Sequence, residues 1–436
     1  MIPARRLLLL VGGTIPLAFS SLILPALAYF WAGCIGFVFL ALCLDFVLAA
    51  RLPEPRLSRR PVPGLSLGRR FCVEIDLHNP GPYPLQGWIR DDAPAAFEGA
   101  GCIVPVRVKA GGSKVARYEL RALVRGKHPF GAVFLRFLSP LGLLMIEKAL
   151  GAGQEVRVFP DLEALRRYQL LARMIQFSEP GLKTLRFRGP GTDFESLRYY
   201  VYGDDHRRID WKATAKHGKL ICRQLEVERN HEILIALDAG RLMGSQAEGL
   251  TKLDHAINAA LALAGVSIEN GDRVGVLLFS AEVKAFLGPA KARGQLRAVL
   301  EVLFDARTDM AETNFARAFA YLGERQKKRA LVIVLSDVAD RETSVGMISG
   351  VLQQAKRHLF LFVALRDPFL RRTVLARPQE AEQAFLHAVI YELERDRQEV
   401  LQALRMAGVH TLDLEPKEVA VPLITRYLEI RGRNLL

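Results

Sequence analysis

The first fifty residues are patterned differently from the rest of the chain. No charged residue occurs between positions 7 and 44, and such a run exceeds the roughly 20 apolar residues that one membrane helix needs. Pro25 lies near its middle. We therefore predict a transmembrane hairpin in residues 1–51, with spans at 7–24 and 27–50. Arginines flank both ends of the hairpin, which predicts that both ends are cytoplasmic.

A cleaved signal peptide is an alternative for this segment. Two arginines, an apolar run and the sequence Ala26-Leu27-Ala28 match its three regions. Cleavage after Ala28 would leave residues 29–50 to span the membrane, so both alternatives predict a cytoplasmic body. Asp45 lies near the cytoplasmic end of the second span, where we expect it to reach lipid headgroups or a partner.

Short alternating runs follow a segment rich in proline and arginine, residues 52–63, which we interpret as a linker. The runs occupy residues 71–77, 103–108, 115–120 and 132–137. Turn-forming residues separate them, among them Lys127-His128-Pro129. Short strands at this spacing are typical of an all-β sandwich, which we assign to residues 64–160.

From residue 231 to 436, continuous apolar runs alternate with amphipathic stretches. Ile233–Leu237 fits a buried strand and Lys252–Glu269 a helix, and the alternation continues to the end of the chain. This pattern indicates an α/β domain of Rossmann type, with a mostly parallel sheet covered on both faces. Residues 161–230 form the connector before it and begin with an Arg-rich helical pattern at 161–176.

Three oxygen-bearing residues follow predicted strand ends or begin a predicted helix in this domain: Asp238, Thr313 and Asp337. Their arrangement resembles the cation site of von Willebrand A domains, and oxygen ligands of this kind suit Mg²⁺. Two serines of that site are replaced here by Gly240 and Leu242, and Arg241 adds a cation. Two interpretations follow: a weak Mg²⁺ site that grips a partner's carboxylate, or a metal-free loop in which a basic side chain pairs with Asp238. No other cofactor is expected.

A long motif lies in the connector. It runs Arg198-Tyr199-Tyr200-Val201-Tyr202-Gly203-Asp204-Asp205 and continues as Arg208-Ile209-Asp210-Trp211-Lys212. It resembles the signature of the bacterial domain-of-unknown-function 58 family. The resemblance extends to the apolar segments, to a β-rich region ending in Ser139-Pro140-Leu141-Gly142-Leu143, and to the A-like domain. The residues that carry the signature are Arg198, Tyr200, Gly203, Asp204, Asp205, Arg208, Asp210, Trp211 and Lys212.

The resemblance implies an accessory partner of MoxR-type AAA+ ATPases at the bacterial inner membrane, which helps to assemble or mature other protein complexes. The expected partners are therefore that ATPase, client proteins and the lipid bilayer. Read physically, the aspartates of the signature must pair with its cations, because unpaired buried charges carry a large desolvation cost. We expect Trp211 and the tyrosines to surround these pairs. The signature then forms an interdomain clamp, a recognition surface or an active site.

The net charge of +14 favours an anionic membrane surface nearby. Residues 166–219 are basic with interleaved aromatics, which is also typical of a single-strand nucleic-acid binder. Many of these cations have acidic neighbours, so we expect no nucleic acid. The sequence contains no Walker loop and no Gly-x-Ser-x-Gly elbow. We therefore predict a non-enzymatic scaffold or adaptor. The alternatives are a metal-dependent binding protein or hydrolase centred on Asp238, Thr313 and Asp337, and a basic nucleic-acid binder.

Overall fold

The computed structural model describes residues 1–21, 23, 26–62, 64–151, 153–161, 167–174, 193–202, 204–226, 230–292, 294–338, 341–375, 380–433 and 435. They form a mixed α/β chain with several sheets, divided into two compact units, Met1–Phe159 and Pro160–Leu436. The predicted hairpin turn at Pro25 lies outside the described residues.

The first unit begins with a short strand and two helices, β1 (Ile2–Pro3), α1 (Arg5–Ser21) and α2 (Ala26–Ala50). Among the described residues, α2 is the one helix that is long and apolar enough to cross a membrane, judged by length and composition. Both helices correspond to predicted spans. α1 is shorter than the predicted first span. Residue 24, the last residue of that predicted span, lies outside the described part of the chain.

The rest of the first unit consists of strands. They are β2 (Arg56–Arg59), β3 (Leu65–Ser66), β4 (Arg70–His78), β5 (Leu85–Asp91), β6 (Phe97–Glu98), β7 (Ile103–Val108), β8 (Ser113–Ala122), β9 (Gly126–Phe130), β10 (Val133–Leu138), β11 (Leu144–Leu150) and β12 (Gln154–Phe159). Their sheets have the orders β1-β11-β10-β5-β7, β2-β4-β8-β6 and β3-β12-β9. The predicted all-β character of this region is confirmed.

Two local predictions in this unit are wrong. Part of the predicted linker forms β2, which pairs with β4, because Arg59 makes a buried ion pair with Asp91 that fixes the segment. The residues Lys127-His128-Pro129, expected to form a turn, lie in β9. β9 is the edge strand of its sheet, a position where proline is tolerated because it need not donate to a neighbour.

The second unit contains residues 167–174, which are helical, and two further sets of elements. The first set is β13 (Asp193–Tyr199), α3 (Trp211–His217) and β14 (Ile221–Glu226). The second set begins with β15 (Glu232–Asp238), β16 (Gln246–Ala247), β17 (Leu250–Thr251), α4 (Lys252–Glu269), β18 (Arg273–Phe279) and β19 (Val283–Ala290). It continues with α5 (Gln295–Phe304), α6 (Phe315–Arg325), β20 (Leu331–Ser336), α7 (Arg341–Ala355), β21 (Leu359–Leu365), α8 (Pro368–Leu375), α9 (Ala381–Met406), β22 (His410–Leu414) and α10 (Ala420–Gly432).

A six-stranded sheet of order β19-β18-β15-β20-β21-β22 organises the second set. The last five strands of this order run parallel, and only the edge strand β19 is antiparallel. Side chains of β15 alternate between two cores, with Ile233 and Ile235 on one face and Leu234 on the other. α4 and α10 cover the first face, while α6, α7 and α9 cover the second. The predicted parallel sheet between helices is thus present with one antiparallel edge.

The predicted helix Lys252–Glu269 coincides with α4, and the predicted strand Ile233–Leu237 lies within β15. Asp238 is the last residue of β15, and Asp337 directly follows β20. Thr313 lies two residues before α6, whose N-cap is Asn314. Because parallel strands end at the same side of a sheet, these residues share its carboxyl edge.

Candidate functional site

The centre of the carboxyl edge is Asp238, whose side chain is buried. One carboxylate oxygen accepts from the Thr313 hydroxyl at 2.6 Å and from the Gly240 backbone N–H at 2.8 Å. The other oxygen accepts from the Ser336 hydroxyl at 2.6 Å. The donors to Asp238 within the described residues are therefore neutral, and the predicted pairing with a basic side chain such as Arg241 is wrong. Arg241 is exposed.

Gly240 explains why the first serine of the von Willebrand A pattern is missing. A Cβ atom at this position would lie 2.0 Å from the Thr313 hydroxyl oxygen and 3.1 Å from a carboxylate oxygen of Asp238. No side chain fits there unless Thr313 moves. The direct hydrogen bond between Thr313 and Asp238 thus occupies the space that a serine would need.

Burial raises the pKa of Asp238. The hydrogen bonds from Ser336, Thr313 and Gly240 oppose that rise, and the nearby charge of Asp337 adds to it. Removing a carboxylate from water disfavours its charged form unless donors or cations replace the water. In the described part of the chain Asp238 has neutral donors and no cation beside it, so its environment is less favourable to a negative charge than water is.

Asp337, on the neighbouring loop, is satisfied by cations. One carboxylate oxygen lies 2.7 Å from the Lys252 ammonium, and the other lies 2.6 Å from the Arg397 guanidinium and accepts from the Val338 N–H at 2.7 Å. Lys252 is 3% exposed and Arg397 5%. Lys252 lies in the first turn of α4 and Arg397 in the middle of α9. The carboxylate of Asp337 therefore connects both helices to this edge of the sheet.

The charge network continues outward from Asp337. Arg397 also donates to Asp413 at 3.0 Å, and Asp413 pairs with Arg366. Lys252 lies 3.4 Å from Asp367. Burial disfavours ionisation of Asp413, but the charges and hydrogen bonds of Arg397 and Arg366 outweigh it and lower the pKa of that carboxyl. Arg397 and Arg366 therefore favour the ionised form of Asp413.

The residues of this edge do not fit a magnesium ion. A divalent cation takes carboxylate and hydroxyl oxygens as ligands, and here those of Asp238 and Thr313 bond to each other. The oxygens of Asp337 face two fixed positive charges, which would repel a metal ion at this position. Within the described part of the chain, no three His, Cys, Asp or Glu residues are grouped so that they could hold a metal ion. Lys252 and Arg397 supply the positive charge instead.

Lys252, Arg397 and Ser336 were not predicted as residues of this site. Lys252 and Arg397 had a signal in the sequence. Lys252 begins a helix whose buried face is mostly apolar, and Arg397 lies seven residues after the buried Ile390 and three before the buried Val400. A cation at a position with core spacing predicts a buried partner of opposite charge. Nothing in the local pattern identified Ser336 as a hydrogen-bond donor.

The signature residues form a separate element, residues 193–226, which we call the signature module. β13 and β14 pair antiparallel, and between them lie a 3₁₀ turn (His206–Arg208) and α3. Three of the predicted residues, Asp204, Asp205 and Asp210, accept hydrogen bonds from within the module. Asp204 accepts from Arg198 at 2.6 Å and from the Val201 N–H at 3.0 Å. Gly203 lies outside the described residues.

Asp205 and Asp210 are N-caps. Asp205 accepts from the Arg207 N–H at 3.0 Å, and Asp210 accepts from the Ala213 N–H at 3.0 Å. The second oxygen of Asp210 accepts from Arg223 on β14 at 2.8 Å. The Ala213 hydrogen bond, followed by that of Arg223, lowers the pKa of Asp210. The aspartates thus hold the module's backbone, and the cation that pairs with Asp210 lies on β14, outside the predicted signature.

The aromatic residues of the module do not pack around these pairs as predicted. Tyr202 is fully exposed (100%), Trp211 is 67% exposed and Tyr199 63%. Tyr200 is partly buried near His206, at 5.9 Å between ring centroids. Arg208 is partly buried at the end of the 3₁₀ turn.

The lysines of α3 form one exposed ridge. Lys212 and Lys216 are four residues apart and therefore share a side of the helix. Thr214, on the opposite side, accepts from the Ile221 N–H at 3.0 Å and ties the helix to β14. The module thus presents aromatic rings and cations to solvent on a backbone that its aspartates fix.

Residues 196–375 match the family model described as "Protein of unknown function DUF58". This region begins in the signature module and includes most of the parallel sheet, and the family predicted from the signature is confirmed. The chain carries the DUF58 region.

The curated relatives carry no functional name. "Uncharacterized protein Rv1480" of Mycobacterium tuberculosis is 24% identical over 182 residues, covering 41% of this chain and 56% of that protein. "Uncharacterized protein YeaD" of Bacillus subtilis is 26% identical over 180 residues, covering 40% and 45%. The matched part thus spans about half the length of these relatives. Among solved structures, the conserved hypothetical protein BatB from Bacteroides thetaiotaomicron has a TM-score of 0.33 at 16% identity, covering 47% of this chain and 99% of that one.

Proposed function

We propose that this protein is a membrane-anchored, non-enzymatic scaffold that binds other proteins through its signature module. The observation that carries the proposal is the exposure of Tyr202, Trp211 and Tyr199 on a backbone fixed by aspartates. Burial of an exposed aromatic ring in a partner's pocket is favourable because it removes apolar surface from water. Trp and Tyr contribute most of the binding energy at many interfaces. Of the three interpretations of the signature, a recognition surface accounts best for this exposure.

The carboxyl edge of the sheet supports a role without metal chemistry. Its arrangement is similar to that of a von Willebrand A domain, in which a metal ion at this edge grips a partner's carboxylate. Here Lys252 and Arg397 are buried against Asp337, so they are not available to an incoming carboxylate. We therefore assign binding to the signature module and a structural role to the edge. A metal-dependent hydrolase at Asp238 has no support from these contacts.

The partner that the family resemblance implies is a MoxR-type AAA+ ATPase, together with the client complexes that it assembles or matures. We propose that two N-terminal spans hold the protein in the bacterial inner membrane with its remaining domains in the cytoplasm. α2 supports the anchoring by its length and apolar composition.

A pull-down from solubilised membranes tests this function. The tagged full-length chain should recover an AAA+ ATPase, and the double variant Tyr202→Ala, Trp211→Ala should lose most of it. Phe385→Ala is the matched control, because it removes an exposed aromatic ring from α9. Recovery of no AAA+ ATPase by the unaltered chain would refute the partner. Equal recovery by the double variant would refute the surface.

A further inference from the structure

Asp45 has an unusual environment for a residue of an apolar helix. It lies five residues before the end of α2, and its side chain is completely buried (0% exposed). Its carboxylate accepts from the Ser139 hydroxyl, from the Leu141 N–H at 2.9 Å and from the Leu143 N–H at 3.1 Å. The expectation that Asp45 reaches headgroups or a separate partner is therefore wrong, because its acceptor positions are used within the chain.

The partner of Asp45 is the turn between β10 and β11, residues Ser139–Leu143. The turn is closed by its own bonds, with the Gly142 N–H donating to the Ser139 carbonyl at 2.9 Å. Gly142 has φ +76°, a left-handed conformation that favours glycine. In this geometry the N–H groups of Leu141 and Leu143 both donate to one carboxylate. Buried N–H groups without an acceptor are costly, so the turn and the aspartate satisfy each other.

A second connection joins the hairpin to the same place. β1 pairs with β11, aligning Ile2 with Met145 and Pro3 with Leu144. The Ala4 N–H then donates to the Leu143 carbonyl at 2.9 Å. The chain that enters α1 and the end of α2 are therefore both bound to residues around this one turn.

We propose that Asp45 and the turn Ser139–Leu143 form a fixed joint, which makes the N-terminal helices and the β-rich part a single rigid body. The proposal rests on the anchoring part of the proposed function, since the joint then sets the orientation of the β-rich part on the bilayer. A buried carboxyl group that loses three hydrogen-bond donors is left unsatisfied, which carries a large desolvation cost. Separation at this point is therefore strongly disfavoured. A flexible tether would leave the orientation free.

Distance measurement by electron paramagnetic resonance tests the joint in the full chain in lipid nanodiscs. One spin label is placed at Phe30→Cys in α2 and one at the exposed Cys102 of the β-rich part, with the other four cysteines replaced by Ser. The unaltered joint should give one narrow distance distribution. Asp45→Ala should lose the narrow distribution and give a broad one. Glu147→Ala, which removes an exposed ion pair on β11, is the control and should leave the distribution narrow.

A narrow distribution with an unchanged mean in Asp45→Ala would overturn the proposal. If Asp45→Ala fails to fold, as strand content by circular dichroism would reveal, Ser139→Ala takes its place. This variant removes one donor and keeps the two backbone donors, so partial broadening is expected and an unchanged width refutes the joint. Carbonate extraction of membranes tests the anchoring separately. Release of the chain by carbonate would refute the anchor, while the distances measured in detergent micelles would still decide the joint.

Discussion

The carboxyl edge of the parallel sheet and the signature module use the same kinds of side chain in opposite ways. At the edge, Lys252 and Arg397 are buried against Asp337. In the module, Asp204 and Asp210 accept hydrogen bonds from the backbone, whereas the lysines of α3 and several aromatic rings are exposed to solvent. A charged motif therefore indicates a binding surface only where its charged groups remain accessible to solvent. At the carboxyl edge, which resembles the cation site of von Willebrand A domains, the charged groups pair with one another and stabilise the fold.

The largest expected effect comes from breaking the buried network. Arg397→Met leaves Asp337 and Asp413 each with one cation fewer, and removal of one partner from a buried ion pair costs about 3–5 kcal/mol. We expect a loss of this size in the free energy of unfolding, measured by urea denaturation of the full chain in detergent. Adding Asp337→Asn should recover part of it, because the uncompensated charge is then removed.

The matched control for that variant is Arg297→Met, which removes an exposed arginine paired with Glu301 one helical turn away. Exposed pairs of this kind contribute about 0.3–0.5 kcal/mol. If the two arginine variants lose equal stability, the edge network is not what holds α9 to the sheet.

The next effect is expected at Gly240. Gly240→Ser places a Cβ against the Thr313 hydroxyl, and overpacking of this kind costs about 1–3 kcal/mol. Thr313→Ala in the same chain should relieve much of it, so that the two changes are less than additive by thermal melting. Adding Mg²⁺ or EDTA should leave the melting temperature of the original chain unchanged. A rise with Mg²⁺ would contradict the assignment of Lys252 and Arg397 as the cations of this edge.

A smaller, pH-dependent effect should distinguish paired from unpaired buried groups. His358 is buried, and neither ring nitrogen has a hydrogen-bond partner among the described residues. Burial, followed by the charge of Arg357, lowers its pKa from the ordinary 6.5. Below about pH 6.5 the unfolded chain binds a proton that the folded chain resists, so stability falls as the pH drops from 6.5 toward the lowered pKa.

His358→Leu should remove this part of the acid loss, and each unit by which the pKa is lowered corresponds to about 1.4 kcal/mol. Denaturation midpoints between pH 7.5 and roughly 5, within the range in which histidine titrates, measure it. His217→Gln, which changes an exposed histidine of the signature module, should leave the pH dependence as it was. A steep acid loss that persists in His358→Leu would assign it to other groups.

The smallest effect on stability is expected in the signature module. Trp211→Ala removes a largely exposed ring, and exposed substitutions of this kind change stability by about 0.5 kcal/mol or less. Thermal melting should therefore be unchanged while partner recovery falls. A loss of several degrees would mean that the ring supports the fold, and the clamp interpretation of the signature would regain its place.

The double variant Lys212→Glu, Lys216→Glu tests whether the exposed lysines of α3 take part in binding. Charge reversal of the α3 ridge should weaken partner binding and leave melting unchanged, because both side chains are exposed. Titration with single-stranded DNA provides the contrast. Binding to DNA that falls steeply with salt, and that the reversal abolishes, would favour the nucleic-acid alternative.

The sequence predicted regular elements well where burial is continuous. The apolar run at Ile233–Leu237 predicted a strand of the parallel sheet, because strands buried on both faces are continuously apolar. Predictions failed where a single side chain fixed the backbone. The segment around Arg59 has the composition of a linker but forms a strand that a buried ion pair between Arg59 and Asp91 holds in place. Because Asp91 is distant in the sequence, the local pattern does not reveal this pair.

The candidate site was predicted in part. Asp238, Thr313 and Asp337 do meet at one edge, as strand ends in a parallel sheet must. Their chemistry depends on Arg397, which is 60 residues from Asp337 in the chain, and pairing over such a separation cannot be read from local pattern. In the signature, Asp204 pairs with Arg198 as the alternation of charges predicted, whereas Asp210 pairs with Arg223 on β14. The exposure of Trp211 was missed because apolar character alone does not specify which face of an element is covered.

The pairing of β1 with β11 constrains the order in which this protein can be made. Residues 2 and 3 find their partners at 145 and 144, which leave the ribosome only after the intervening helices and most of the β-rich part. The first strand must therefore wait, and contacts this distant in sequence form slowly. Removal of the N-terminus by a protease after Ala28 would delete that strand and leave the edge of β11 open to pairing with another chain.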